Sequence, residues 1–247
     1  DRDPQALQQA SERLSALGGE HRLLHGTFDA AGQLLREAGL GPDGVLDGLL
    51  LDLGVSSMQL DRAERGFSFR KDGPLDMRMD PETGESAASW LAGVQVEELS
   101  RVIRRYGEDP QAGRIARGID RYRRQQRIET TGQLSALIEE LVPRRGKKIH
   151  PATKTFQAIR IVINRELDCL RELLERLDRY MRPGGRVVVL SYHSLEDRLV
   201  KEAFRLRVKE GLFLAHPAGL LRPSETEVNS NPRSRSARLR AVVRPGG

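Results

Sequence analysis

The run from Val45 to Leu51, which drives into a carboxylate at Asp52 and then a small-residue turn, Leu53-Gly54-Val55-Ser56-Ser57, constrains this chain more than any other segment. An apolar stretch of strand length closed by an acid and a glycine reads as a buried parallel strand over residues 45–53. Such a strand delivers its terminal acid to the open edge of an α/β sheet, where ligands bind beyond the carboxyl ends of the strands. The thirty or so residues after Asp52 are rich in Gly, Asp, Arg, Phe and Met and lack helical or strand periodicity. A loop that long in a compact domain is more often functional than filler.

Around this strand the pattern alternates. Asp3 can cap a helix that has Pro4 in its first turn and a stripe of Leu7, Ala10, Leu14 and Leu17, and Gly18-Gly19 can end it. Residues 20–25 suit a short strand and residues 29–38 a helix ending at Gly39. Alternating strands and helices predict a parallel sheet with crossover helices. From about Ser86 to Ile163 the pattern turns helical. Val96, Leu99, Val102, Ile103 and Tyr106 mark one helix. Thr131 caps another, with Leu134, Leu137, Ile138 and Leu141, stopped before Pro143. Ile163, Leu167, Leu170, Leu174, Leu177 and Met181 predict one long helix, closed by Arg182-Pro183-Gly184-Gly185. Strands follow at Arg186–Leu190 and Ala237–Val243. The expected organisation is an α/β sheet domain over residues 1–85 and 164–247, with an all-helical insertion over 86–163.

The chain has 247 residues, a formal charge of +6 and 31% charged residues. Its basic balance suits a polyanionic partner, and a basic enzyme without one fits the charge equally well. The single cysteine, Cys169, excludes an internal disulfide and reads as a small core residue. No apolar run approaches the ~18 residues of a membrane span, and no signal peptide is visible, so a cytoplasmic location is expected. The five histidines are scattered without metal-ligand spacing.

Four segments, in order, resemble one family. They are GLLLDLGVSSMQLDRAERGFSFRKDGPLDMRMDP, RGKKIHPATKTFQAIRIVINREL, PGGRVVVLSYHSLEDRLVK and NPRSRSARLR. They resemble the bacterial RsmH (MraW) family, S-adenosylmethionine-dependent cytosine-N4 methyltransferases of small-subunit (16S) ribosomal RNA. The resemblance implies a class I methyltransferase, Rossmann-like sheet with an inserted all-helical domain that recognises RNA. By the family pattern Asp1 matches the ribose-binding acid, Phe28 lies beside the adenine, and Asp52 and Gln59 contact S-adenosyl-L-methionine. Taken alone, Asp1 reads as a frayed end, Phe28 as core, and Gln59 carries little signal. Family members also carry a segment before the position of Asp1, with a first strand and a Gly-Gly-His loop around the methionine end of the cofactor. No Gly-rich replacement occurs in this chain, which is therefore expected to bind S-adenosylmethionine weakly. The resemblance also implies the assembled small ribosomal subunit as substrate, and it admits a homodimer.

Methylating an exocyclic amine needs acceptors that localise its lone pair. Asp52, Ser56 and Ser57 at the strand tip are the candidate catalytic acceptors, with His193 at the next strand end. Tyr192 suits either stacking on a flipped base or packing. Ser194 and Asp197 fit a Ser-x-x-acid helix cap. Phe67, Phe69, Met77 and Met79 suit either a loop closing over the base or one tucked into the core. Candidate phosphate ligands are Arg144, Arg145, Lys147, Lys148, Lys154, Arg233, Arg235 and Arg238. A further arginine-rich stretch over residues 101–127 reads equally as a solvated face or a phosphate contact. Aromatics are sparse in these segments, so a stacking platform for long single strands is not indicated, and the target base must be turned out to the site. Two other readings stay open: a non-catalytic RNA-binding fragment, and a different α/β enzyme using a dinucleotide, for which no glycine fingerprint is present.

Overall fold

At the start of the chain, the buried Asp3 carboxylate accepts the Gln5 N–H at 3.0 Å and opens α1 (Pro4–Leu17), which Gly18 ends at φ +72°. This computed structural model describes residues 1–41, 43–143 and 149–246. The chain divides into two compact units, Asp1–Gly54 with Leu167–Gly247, and Val55–Glu166.

In the first unit no residue of the expected α1 stripe is fully buried, and Leu17 is 81% exposed. Residues 20–25 do not form a strand. A strand requires a paired neighbour; the backbone bonds here are the Asp1 amine to the Leu24 carbonyl and the Gly26 N–H to the Asp1 carbonyl. A 3-10 turn, Phe28–Ala30, leads into α2 (Ala31–Glu37). The strand β1 (Leu46–Asp52) follows where the apolar run predicts it. It is an edge strand, and it is not buried on both faces: Leu51, on one face, is buried, whereas Leu50, on the other, is 66% exposed.

The second unit holds α3 (Ser57–Asp61), α4 (Ala87–Gly93), α5 (Val96–Tyr106), α6 (Ala112–Arg123), α7 (Thr131–Leu141) and α8 (Ala152–Ile163). Its core joins Leu99, Ile103, Ile115, Ile119, Leu134, Ile138 and Ile159 to Phe67, Leu75, Met77 and Met79 from the long loop. The compact helical unit therefore begins at Val55, about thirty residues before the expected boundary at 86. Phe67, Met77 and Met79 serve as its core, and Phe69 packs partly buried against it. The loop is pinned internally. Arg65 Nη2 donates to the carbonyls of Arg78 and Met79, at 3.1 and 2.8 Å, and Leu75 N–H to Glu129 O at 2.8 Å. Gly66 is required at its bend, since it has φ +73° and a Cβ there would lie 2.4 Å from Pro74 O. The cap of α7 is Thr130, paired reciprocally with Gln133, rather than the expected Thr131, which is buried at the first helical position.

The long helix predicted from Ile163 to Met181 is two shorter ones. After α8 the chain breaks at Asn164 and at Arg165, with φ +49°, before α9 (Glu166–Leu174) and α10 (Leu177–Tyr180). Met181 begins β2 (Met181–Ser191) instead of ending a helix. The Pro183-Gly184-Gly185 stretch bulges: Leu46 pairs with Met181, yet Gly48 pairs with Arg186. Then come α11 (Ser194–Lys209), β3 (Leu214–Leu221), α12 (Glu225–Ser230) and β4 (Arg238–Val243). The sheet order is β1-β2-β4-β3. Among the described residues only β1 and β2 run parallel; β4 is antiparallel to both neighbours, so the sheet is mixed where a parallel one was expected. Leu51, Val187, Val189 and Val242 from the sheet pack with Leu170, Leu174, Val200 and Phe204 from helices. Cys169 is buried, as read from its helical position. Among the described residues, no helix is long and apolar enough to cross a membrane.

Candidate functional site

Two parallel strands end at the same sheet edge, and the first unit exploits this at β1 and β2. Asp52 stands opposite Leu190, and the Leu53 N–H donates to the Leu190 carbonyl at 3.0 Å. One residue further, Gly54 turns the chain at φ +86°, a conformation that favours glycine. From the other strand Tyr192 reaches across, its hydroxyl donating to Asp52 Oδ1 at 2.9 Å. Burial, then the Asp52 hydrogen bond and negative charge, push the Tyr192 phenol up to about 12, so at neutral pH it is a protonated donor. Asp52 is exposed at the end of a strand that was expected to be buried. Tyr192 bonds to Asp52 Oδ1, and among the described residues no hydrogen bond is made to Oδ2.

The helix after this tip is capped differently from the Ser194–Asp197 expectation. His193 has the extended backbone a cap requires, φ −137° and ψ 165°, while Ser194 is already helical. Glu196, only 2% exposed, closes the reciprocal box: its Oε2 accepts the N–H groups of Tyr192 at 2.8 Å and His193 at 3.2 Å. His193 Nδ1 accepts the Glu196 N–H at 3.4 Å, which places the ring proton of the neutral imidazole on Nε2. Nε2 lies 3.1 Å from Glu196 Oε1 but off the line of a good hydrogen bond. Asp197, released from capping, accepts from Arg240 Nε at 2.7 Å and Arg238 Nη1 at 3.3 Å, tying α11 to β4.

The remaining candidates are placed as follows. Asp1 Oδ1 accepts the Asp3 N–H at 2.8 Å, and Phe28, 37% exposed, opens the 3-10 turn before α2. No described hydrogen bond joins either to Asp52. In the helical unit Ser56 and Ser57 are exposed, and Ser56 caps α3. Gln59 is buried in that same cap: its Oε1 accepts the Ser56 N–H at 3.0 Å and its own N–H donates to Ser56 Oγ at 3.2 Å.

Arg144, Arg145, Lys147 and Lys148 lie outside the described residues. Lys154 is exposed and donates to the Glu108 carbonyl at 2.8 Å. Arg233 and Arg235 project from the 3-10 turn Pro232–Ser236 with high exposure, whereas Arg238 is half-buried against Asp197. On α5 and α6 and the turn beyond, Arg104, Arg105, Arg114, Arg117, Arg121 and Arg127 are exposed, while Asp120 holds Arg123 and Arg124, each at 2.7 Å. Sequence reading missed Glu196. Its signal is the three-residue spacing from His193, hidden because capping boxes are ordinarily sought at Ser or Thr.

Comparison with known proteins gives this geometry a context. Residues 1–244 match the MraW methylase family. Ribosomal RNA small subunit methyltransferase H of Syntrophotalea carbinolica is 46% identical over 262 aligned residues, covering 99% of this chain and 82% of the relative. The protein of the same name from Sinorhizobium fredii is 45% identical, covering 99% and 74%. That from Mycolicibacterium smegmatis is 44% identical, covering 100% and 70%.

Proposed function

Because the chain belongs to the MraW methylase family, we propose that it methylates the exocyclic N4 amine of a cytidine in small-subunit (16S) ribosomal RNA, with S-adenosyl-L-methionine as donor. The observation that carries the reading is the Asp52–Tyr192 pair at the ends of two parallel strands, in a chain that matches a methylase family along almost its whole length. The names of the relatives supply the ribosomal RNA substrate class.

An exposed carboxylate oxygen beside a neutral phenol suits the task. The amine's lone pair is delocalised into the ring, and a carboxylate accepting one N–H helps to localise it on nitrogen. Tyr192 orients Asp52 through Oδ1 and leaves Oδ2 for that bond. The bound donor would supply an electrophilic methyl group, and Asp52 and the Gly54 turn are among the residues that would hold it. No covalent nucleophile on the protein is needed, so alignment and fixed charge carry the acceleration, for which well-oriented groups contribute roughly 7–11 kcal/mol. Ser56, Ser57 and His193 are secondary polar candidates in this reading, with Asp1, Phe28 and Gln59 toward the cofactor. Arg233 and Arg235, with Arg144, Arg145, Lys147, Lys148 and Lys154, are the phosphate contacts. The substrate places the reaction in the cytoplasm, on the small ribosomal subunit.

The test is transfer of label from S-adenosylmethionine to small subunits lacking the modification, with the product base mapped. Incorporation at a cytidine amine, reduced on the order of 10²-fold or more in Asp52→Ala, is the expected result. RNA retention without incorporation would overturn the reading in favour of a non-catalytic RNA-binding role.

A further inference from the structure

Glu196 is a carboxylate at 2% exposure, and burying one without compensating hydrogen bonds is costly. Closing a capping box requires one contact, from the side chain at the third helical position to the N–H of the cap residue. Glu196 makes that contact with His193, and the same oxygen makes a shorter one to the N–H of Tyr192, one residue outside the cap. The extra bond has no capping purpose. It fixes the backbone of the residue whose hydroxyl lies on Asp52.

Two neighbouring segments lie close to Glu196. Asp197, its neighbour, is clamped by Arg238 and Arg240, which anchors the first turn of α11 on β4. Opposite, the Gly54 backbone passes over both partners: a Cβ there would stand 3.7 Å from Tyr192 Cδ2 and 3.9 Å from Glu196 Oε1. The two strand tips and the helix start thus meet around one buried carboxylate.

We propose that Glu196 is a positioning residue for the transfer site, acting through the backbone of Tyr192 to hold the phenol on Asp52. This rests on the reading of Asp52 as part of that site. Displacement of a reacting group by about 1 Å can lower turnover on the order of 10²-fold, so a side chain that touches no substrate can still govern rate.

The experiment uses the full chain and the variants Glu196→Ala, Glu196→Asp, Glu196→Gln, Tyr192→Phe and the Glu196→Ala/Tyr192→Phe double. Two readouts are taken. One is kcat and KM for methyl transfer to small subunits. The other is the fluorine resonance of 3-fluorotyrosine placed at position 192, recorded without substrate, with Asp52→Ala as the reference for a lost Tyr192–Asp52 bond. Expected are kcat losses of roughly tenfold in Glu196→Ala and in Tyr192→Phe with KM little changed, and a double variant no slower than either single one. Glu196→Gln, whose amide oxygen still accepts both backbone N–H groups, should recover most of kcat and keep the wild-type resonance. In Glu196→Ala the resonance should move toward the Asp52→Ala position. Losses that multiply in the double variant, or an unmoved resonance in Glu196→Ala, would overturn the proposal. Glu196→Asp keeps the charge at the helix start but is one methylene too short for Tyr192. If Glu196→Ala does not fold, wild-type kcat and resonance in Glu196→Asp overturn the proposal, and their loss supports it. If the resonance follows Glu196 while even the wild-type chain transfers no methyl group, the methyl-transfer reading falls and the Glu196–Tyr192–Asp52 linkage stands.

Discussion

Replacing Asn164 by alanine removes the side chain that braces the long loop of the helical unit. Asn164 is 1% exposed. Its Oδ1 accepts the Met79 N–H at 2.8 Å, and its Nδ2 donates to the carbonyls of Met77 at 2.8 Å and Arg160 at 2.9 Å. The Arg160 carbonyl keeps a helical partner, the Asn164 N–H at 3.1 Å. The Met79 N–H and the Met77 carbonyl lose theirs among residues that are 8% and 0% exposed. Each buried group left unsatisfied costs about 1–3 kcal/mol, so the substitution should destabilise the unit by roughly 2–6 kcal/mol. That is a large share of the roughly 5–15 kcal/mol that typically holds a domain together. Asn164→Asp sharpens the case. It keeps an acceptor for Met79 but turns a carboxylate oxygen toward two carbonyls, so at neutral pH it should be at least as damaging as alanine. In acid the protonated carboxyl can donate again, and Asn164→Asp should then become the more stable of the two. The single tryptophan, Trp90, packs against the core of this unit and reports its urea unfolding. A loss under about 1 kcal/mol in Asn164→Ala at unchanged m-value would refute the account of the loop as a buried, hydrogen-bonded part of the core.

Other outcomes follow from the same geometry. Leu50→Lys, on the exposed face of β1, should change stability by no more than about 0.5 kcal/mol and reduce concentration-dependent association seen by light scattering; unchanged association would show that this face is not the sticky surface. Ultraviolet titration of the phenols should show one tyrosine ionising near 12, lost in Tyr192→Phe. Because that value lies above the 10.0 of a free phenol, the stability it contributes is complete below about pH 10 and declines as the pH rises toward 12. For Asp76, burial pushes the carboxyl up, but hydrogen bonds and charge from Arg78, with Arg65 beyond, outweigh it and hold the group below its usual 3.8. Its contribution is therefore present above that value and lost as the pH falls through the depressed one. Asp76→Asn should flatten this part of the acid unfolding curve followed at Trp90, and an unchanged curve would remove Asp76 from the account.

What the sequence determined by itself is what neighbours in the chain can settle. Asp3 and Pro4 open α1 and Gly18 closes it, and the apolar spacing of Val96–Tyr106 marks α5 to the residue, because capping and helical periodicity act within a turn or two. The strand ending at Asp52 was legible for the same reason, as was the family, carried by long ordered motifs and matched over residues 1–244. Tertiary structure decided the rest, wherever a partner lies far along the chain. Residues 20–25 look like a strand but bond through their backbone to Asp1 rather than along a ladder, and Leu50 lies exposed on the face of β1 opposite the buried Leu51. The helical spacing that runs past Ile163 is interrupted because Asn164 turns its amide to Met77 and Met79, 87 and 85 positions earlier. The long loop, equally suited to closing over a base or to filling a core, is core because Phe67, Met77 and Met79 find α5–α8 to pack against. At the site, Asp52 and His193 could be named from their strand ends. The bond from Tyr192 to Asp52, across 140 positions, and the burial of Glu196 beneath it exist only once two parallel strands bring their tips to one edge.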